Sequence, residues 1–128
     1  MIKTSKSSEY EDLLLMCINA DEVIPEPVLQ FKAIPGRKFA WDFAWPDHKV
    51  LLEVQGGTWS HNRTAHSTGA GIRRDCIKGC LAVIYGYRNL QVTSDMVTDG
   101  TALAILRSIF SDEKEELDAC VFILKSSR

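Results

Sequence analysis

The feature that most narrows the folds open to this chain is the run Phe39-Ala40-Trp41-Asp42-Phe43-Ala44-Trp45. Aromatic residues alternate there with Ala, Asp and Ala, which is the period of two that a β-strand imposes on its faces. A second β-prone run, Val50 to Gln55, follows across Pro46-Asp47-His48-Lys49, which has turn chemistry, and Gly56-Gly57 stops it. Two strands joined by so short a loop pair as an antiparallel hairpin. A turn centred between Asp47 and His48 sets Asp42 opposite Glu53 and Ala40 opposite Gln55. Directly opposed residues have Cβ atoms about 5 Å apart, and like charges there are destabilising. A divalent cation removes that objection, because Mg²⁺ prefers one or two carboxylates together with waters and phosphate oxygens. The flanking alanines leave room for such a ligand. The alternatives are that one acid turns to solvent, or that a buried Lys or Arg pairs with it.

The rest of the chain reads as alternating elements around this hairpin. Ser8 is placed to cap a first helix running to about Asn19, with Leu14, Leu15 and Ile18 as its apolar stripe. Pro25 and Pro27 end it, and residues 28–34 form a short strand closed by Pro35-Gly36. The hairpin strands cover 38–45 and 50–55. Residues 58–71 are polar and rich in Gly, Ser and Thr, a loop of the kind that often carries function, with His61 and His66 in it. A second helix over 70–85 stops at Gly86, and 87–93 makes a further strand. Ser94 or Asp95 opens a third helix to about Phe110, open to a break at Gly100, and 112–124 forms a last helix with an acidic start. Strands alternating with helices describe a mixed α/β chain with a central sheet. Its 128 residues suit one domain spanning 1–128.

The net charge of −2 argues against a nucleic-acid partner until it is resolved along the chain. Residues 1–28 carry two lysines against six acids, and 93–128 carry four bases against seven acids. Residues 29–92 reverse the balance, with nine bases against four acids. A basic middle is the footprint of a phosphate-contacting face, or else an ordinary solvated surface. Lys38, Arg63, Arg73 and Arg74 are the candidate DNA contacts.

No apolar run approaches the roughly 18 residues of a membrane span, and the N-terminus lacks a secretory pattern. Cys17, Cys76, Cys80 and Cys120 fall in apolar stretches without a CxxC pair, which predicts buried, reduced thiols and a soluble chain in the cytoplasm. A zinc site from His61, His66, Cys76 and Cys80 is the less favoured reading, because Cys76 and Cys80, at i and i+4 on an apolar helix with Val83, suit core thiols.

The stretch WDFAWPDHKVLLEVQGGTWS resembles the core of the PD-(D/E)XK nuclease superfamily, whose fold is restriction-endonuclease-like: a three-layer core with a central mixed sheet flanked by helices. Within it the chain is similar to small phage and bacterial Holliday junction resolvases and very-short-patch-repair-like endonucleases, from about Glu11 to Val97. The resemblance implies a Mg²⁺- or Mn²⁺-dependent endodeoxyribonuclease acting on branched DNA, with the metal on Asp42, Glu53 and the carbonyl of Val54. Glu11 matches the acid of the first helix, and its spacing from Leu14, Leu15 and Ile18 favours it over Glu9. Gln55 departs from the pattern, standing where the family usually has Lys. Lys78, three residues after Asp75 as in the DxxK of the similar proteins, is the candidate cation in its place, the alternative being a surface pair with Asp75. His66, or less favourably His61, would position water or the scissile phosphate, unless it is merely exposed. A junction substrate predicts a homodimer. A mismatch-directed or restriction-type nicking enzyme, with Trp59 beside the mismatched base or packed in the loop, is the alternative, as is a DNA-binding relative that has lost cleavage.

Overall fold

The computed structural model describes residues 6–55 and 69–111. Its elements are, in order, α1 (Lys6–Ala20), β1 (Val28–Phe31), β2 (Trp41–Trp45), a 3₁₀ turn (Pro46–His48), β3 (Val50–Gln55), α2 (Gly69–Ile84), β4 (Arg88–Thr93), α3 (Ser94–Thr98) and α4 (Thr101–Phe110). The fold is α/β, with a mixed sheet in strand order β1-β2-β3-β4. The expected helix over 112–124 and the loop bearing His61, Arg63 and His66 lie outside the described residues, as do Trp59 and Cys120. Among the described residues, no helix is long and apolar enough to cross a membrane.

The chain forms two compact units. Of the described residues, the first holds 6–26, 54, 55 and 92–111. In it α1, α3 and α4 pack on one another, and Leu14, Ile18, Val97, Ala102 and Leu106 are buried. α1 begins at Lys6, before the cap expected at Ser8, a boundary shift within ordinary helix-end uncertainty. The helix phase is as expected: Glu11 is half-buried on the stripe side and Glu9 is exposed. The third helix is broken where Gly100 stands, at φ 90°, a left-handed conformation that glycine adopts without cost.

An ion pair ties this unit across its helices. Arg107 donates to the half-buried Asp21 at 2.5 Å, and the backbone amides of Val23 and Ile24 donate to the same side chain. Burial alone would raise the Asp21 carboxyl, but these hydrogen bonds outweigh it and hold it below the ordinary carboxylate range. A depressed carboxyl contributes stability that is present above its unfolded pKa and lost as pH falls through the folded one. Arg107→Ala is therefore expected to cost about 2 kcal/mol at pH 7, with a smaller difference from the parent in acid. Urea unfolding at pH 7 and near pH 3 measures both; an equal loss at the two pH values contradicts the assignment.

Of the described residues, the second unit holds 27–53 and 69–91. β1 pairs with β2, and β2 with β3, antiparallel throughout. β1 ends at Phe31, shorter than the strand expected to residue 34. Ala33, Ile34, Trp41, Ala44, Leu51 and Ala82 form one core cluster, with Phe31, Phe39, Leu81 and Tyr87 packed against it. α2 stops at Gly86, φ 84°, where the amide of Gly86 bonds the carbonyl of Val83 and that of Tyr87 bonds Ala82. This is the Schellman closure, and Tyr87 supplies its apolar contact.

Two expectations fail here. Trp41 does not keep strictly to the face opposite Asp42 but joins the cluster of Ala44, Leu51 and Ala82. It is the first residue of β2, where the pleat constrains it from one side only, and its indole N–H finds an acceptor in Asn89 Oδ1 at 2.9 Å. Cys76 and Cys80 are exposed rather than buried, and Cys17 is half-buried. α2 buries Gly71 and Ala82, so the cysteines, on another side of the helix, face outward.

Candidate active site

The hairpin sets the first two residues of the site. The ladder pairs Phe43 with Leu52, Ala44 with Leu51 and Trp45 with Val50. One step further in the same register places Asp42 opposite Glu53, as the turn chemistry predicts. The turn is a 3₁₀ segment closed by Lys49 in the left-handed conformation, its amide bonding the carbonyl of Pro46 at 3.1 Å. Its centre is the one expected, between Asp47 and His48.

α2 brings in the third residue. Lys78 Nζ donates to Glu53 Oε2 at 2.5 Å and to the carbonyl of Ala40 at 2.7 Å, and lies 4.6 Å from the centroid of the Trp41 ring. The side chains of Lys78 and Glu53 are 12% and 20% exposed, so solvent screens the pair far less than a surface salt bridge. Burial pushes the Glu53 carboxyl above its ordinary range; the Lys78 ion pair opposes this, and the charges of Asp42 and Asp75 reinforce it. β2 begins at Trp41 rather than at residue 38, which leaves the Ala40 carbonyl turned to the ammonium instead of belonging to the strand. The surface pairing of Lys78 with Asp75 is not its arrangement, since its ammonium is committed to Glu53, Ala40 and the Trp41 face.

Three residues of this constellation escape sequence reasoning. Trp41 presents its ring to the ammonium, and Asn89 on β4 fixes the indole. Gln30, on β1, stands opposite Asp42 in the β1–β2 register and donates from Nε2 to Asp42 Oδ1 at 3.4 Å. Gln30 has φ 51°, a left-handed conformation uncommon for a residue with a side chain. Nothing in its sequence neighbourhood signals that backbone. Gln30→Gly is expected to stabilise the fold by roughly 0.5–1 kcal/mol through relief of that strain, while freeing Asp42 from its amide. Thermal or urea unfolding of this variant beside Gln30→Ala measures the strain; equal stabilities contradict it.

The chain matches no protein-family model, no curated protein and no solved structure.

The other expected residues distribute as follows. Val54 is buried next to Glu53 in β3, and Gln55, the last residue of that strand, is half-buried. Glu11 is on α1 in the first unit. Lys38, Arg73 and Arg74 are exposed. Arg74 precedes Lys78 by one helical turn and shares its side of α2, whereas Arg73 is turned well away from it. Among the described residues there is no group of three or more His, Cys, Asp or Glu side chains able to hold a metal ion. Mg²⁺ is usually held by one or two carboxylates together with waters and substrate oxygens, and Asp42 and Glu53 are carboxylates of that kind. Asp42 and Asp75 act on Glu53 as like charges, against the Lys78 ammonium. Two opposed carboxylates are the kind of oxygen donor that a hard divalent cation takes.

Proposed function

We propose that the chain is a metal-dependent endodeoxyribonuclease of the PD-(D/E)XK type, with branched DNA, such as a four-way junction, as its substrate. The observation that carries this reading is the Lys78 ammonium, brought by α2, on Glu53, with Asp42 opposite Glu53 one step along the hairpin register. Folding alone gains little by opposing two carboxylates, and hydrolysis of a phosphodiester needs such a pair beside a cation.

In this reading Asp42 and Glu53 would hold Mg²⁺ or Mn²⁺, which when bound lowers the pKa of water and offsets charge on the phosphate. Lys78 does the work of the lysine that Gln55 replaces. Its ammonium, held by Ala40 and Trp41, is directed at Glu53 and would in this reading offset the negative charge that grows on the attacked phosphate. Gln30 orients Asp42. Lys38 and Arg74 supply phosphate contacts, whose strength falls with salt. The Val54 carbonyl and His66 keep the roles the resemblance implies for them.

The test is incubation of purified chain with labelled duplex, nicked, flapped and four-way DNA in Mg²⁺ or Mn²⁺. Symmetric paired cuts in the junction support the resolvase, and nicks confined to mismatched or sequence-defined duplex favour the repair-type enzyme. One observation favours a second reading, a DNA-binding relative without cleavage: Lys78 already neutralises Glu53, so the pair is balanced without a metal. In that case DNA is bound and left intact under every cation.

A further inference from the structure

Among the described residues, α2 is covered on one side only. Gly71 and Ala82 are its buried residues, and Lys78 is turned to that side to reach Glu53. On the far side, at about 100° per residue, Ile72, Cys76, Cys80 and Ile84 stand in a single i, i+4 ridge with Val83 beside it. Ile72, Val83 and Ile84 are 51%, 67% and 74% exposed, and both cysteines are exposed. A contiguous apolar stripe on a helix calls for a partner.

The stripe itself specifies the partner. Its pattern is the same in both directions about position 78: Ile72 mirrors Ile84, and Cys76 mirrors Cys80. An antiparallel copy of α2 would set each isoleucine against the other isoleucine of its partner. The four small thiol side chains would meet at the crossing point, where they let the helices approach and their i±4 ridges interlock. Charge agrees with this pairing. α2 has no basic residue in its last turn, although the carbonyls there carry partial negative charge. The same two-fold rotation brings the exposed Arg73 of one copy opposite Val83, in the last turn of the other, and keeps the two Arg73 side chains at opposite ends of the contact.

We propose that the outward face of α2 is the docking surface for a second copy of this chain, as an antiparallel helix pair about a two-fold axis. This rests on the helix face alone and not on the nuclease reading. Arg73, expected from the sequence to contact DNA, belongs to this interface. Lys78, half a turn away around the helix, is left uncovered by it. The stripe is about 18 Å long and roughly 12 Å wide. That is well short of the ~800 Å² per partner of a stable complex, so the dimer is weak and concentration-dependent.

Sedimentation equilibrium of the full chain under reducing conditions, up to ~1 mM, is expected to show reversible dimerisation. Ile84→Glu should abolish it with an unchanged circular-dichroism melt, because that side chain is exposed in the monomer. Diamide, which takes up the two thiol hydrogens as a disulfide forms, should trap a covalent dimer. Cys76→Ser and Cys80→Ser should each prevent trapping, since every bond across the axis joins one of each, while Cys17→Ser should not. A chain that stays monomeric throughout overturns the proposal. So does a dimer indifferent to Ile84→Glu, or a monomer whose Cys76 resists alkylation because another part of the chain covers it.

Discussion

Asp42→Asn and Glu53→Gln are each expected to reduce DNA cleavage by more than about 10³-fold while leaving DNA binding intact or tighter. Each change preserves side-chain shape and removes one negative charge from a site that opposes two. The loss of charge removes a cation ligand, and it also relieves repulsion between the protein and the DNA phosphates. Fold stability should fall in Glu53→Gln, because the Lys78 ammonium, 12% exposed, would keep the Ala40 carbonyl but lose its counter-ion. Cleavage rates and DNA affinities measured side by side separate the two effects. Metal-dependent cleavage at the parental rate in either variant would remove that carboxylate from the site.

Lys78→Ala carries the second large expectation, a fall in turnover at saturating DNA of about 10²–10³-fold, the usual loss when one preorganised donor is removed from developing charge. It should also cost about 1–3 kcal/mol of stability at neutral pH, since Glu53 would remain largely buried without its counter-ion. These consequences have to be told apart. The pair Lys78→Met with Glu53→Gln restores charge balance and should recover the stability without the turnover. If Lys78→Ala alone keeps normal turnover, its ammonium is a structural counter-ion to Glu53 and no more.

The hairpin register was legible in the sequence because a period of two and a turn centred at Asp47-His48 leave little freedom. Lys78 was legible as a residue of the second helix, but not its anchors. An acceptor such as the Ala40 carbonyl depends on β2 starting at Trp41, and β-propensity does not mark that boundary. The left-handed Gln30 has no residue-type signal at all, since such a backbone usually announces itself as Gly or Asn. α2 misleads a reading based on apolar size. It buries Gly71 and Ala82, small residues that allow close approach, and leaves Ile72, Val83 and Ile84 outside. Cys76 and Cys80, taken by their neighbours for core residues, share that outer side.

The most direct test of the central claim is single-turnover cleavage of a labelled four-way junction by the parental chain, run with Mg²⁺, with Mn²⁺ and with chelator, beside Asp42→Asn. The expected result is cleavage with either metal, none with chelator, and none by the variant even though it binds the junction. Cleavage that survives chelation, or parental chain that binds the junction and cuts it under no divalent cation, would contradict the account.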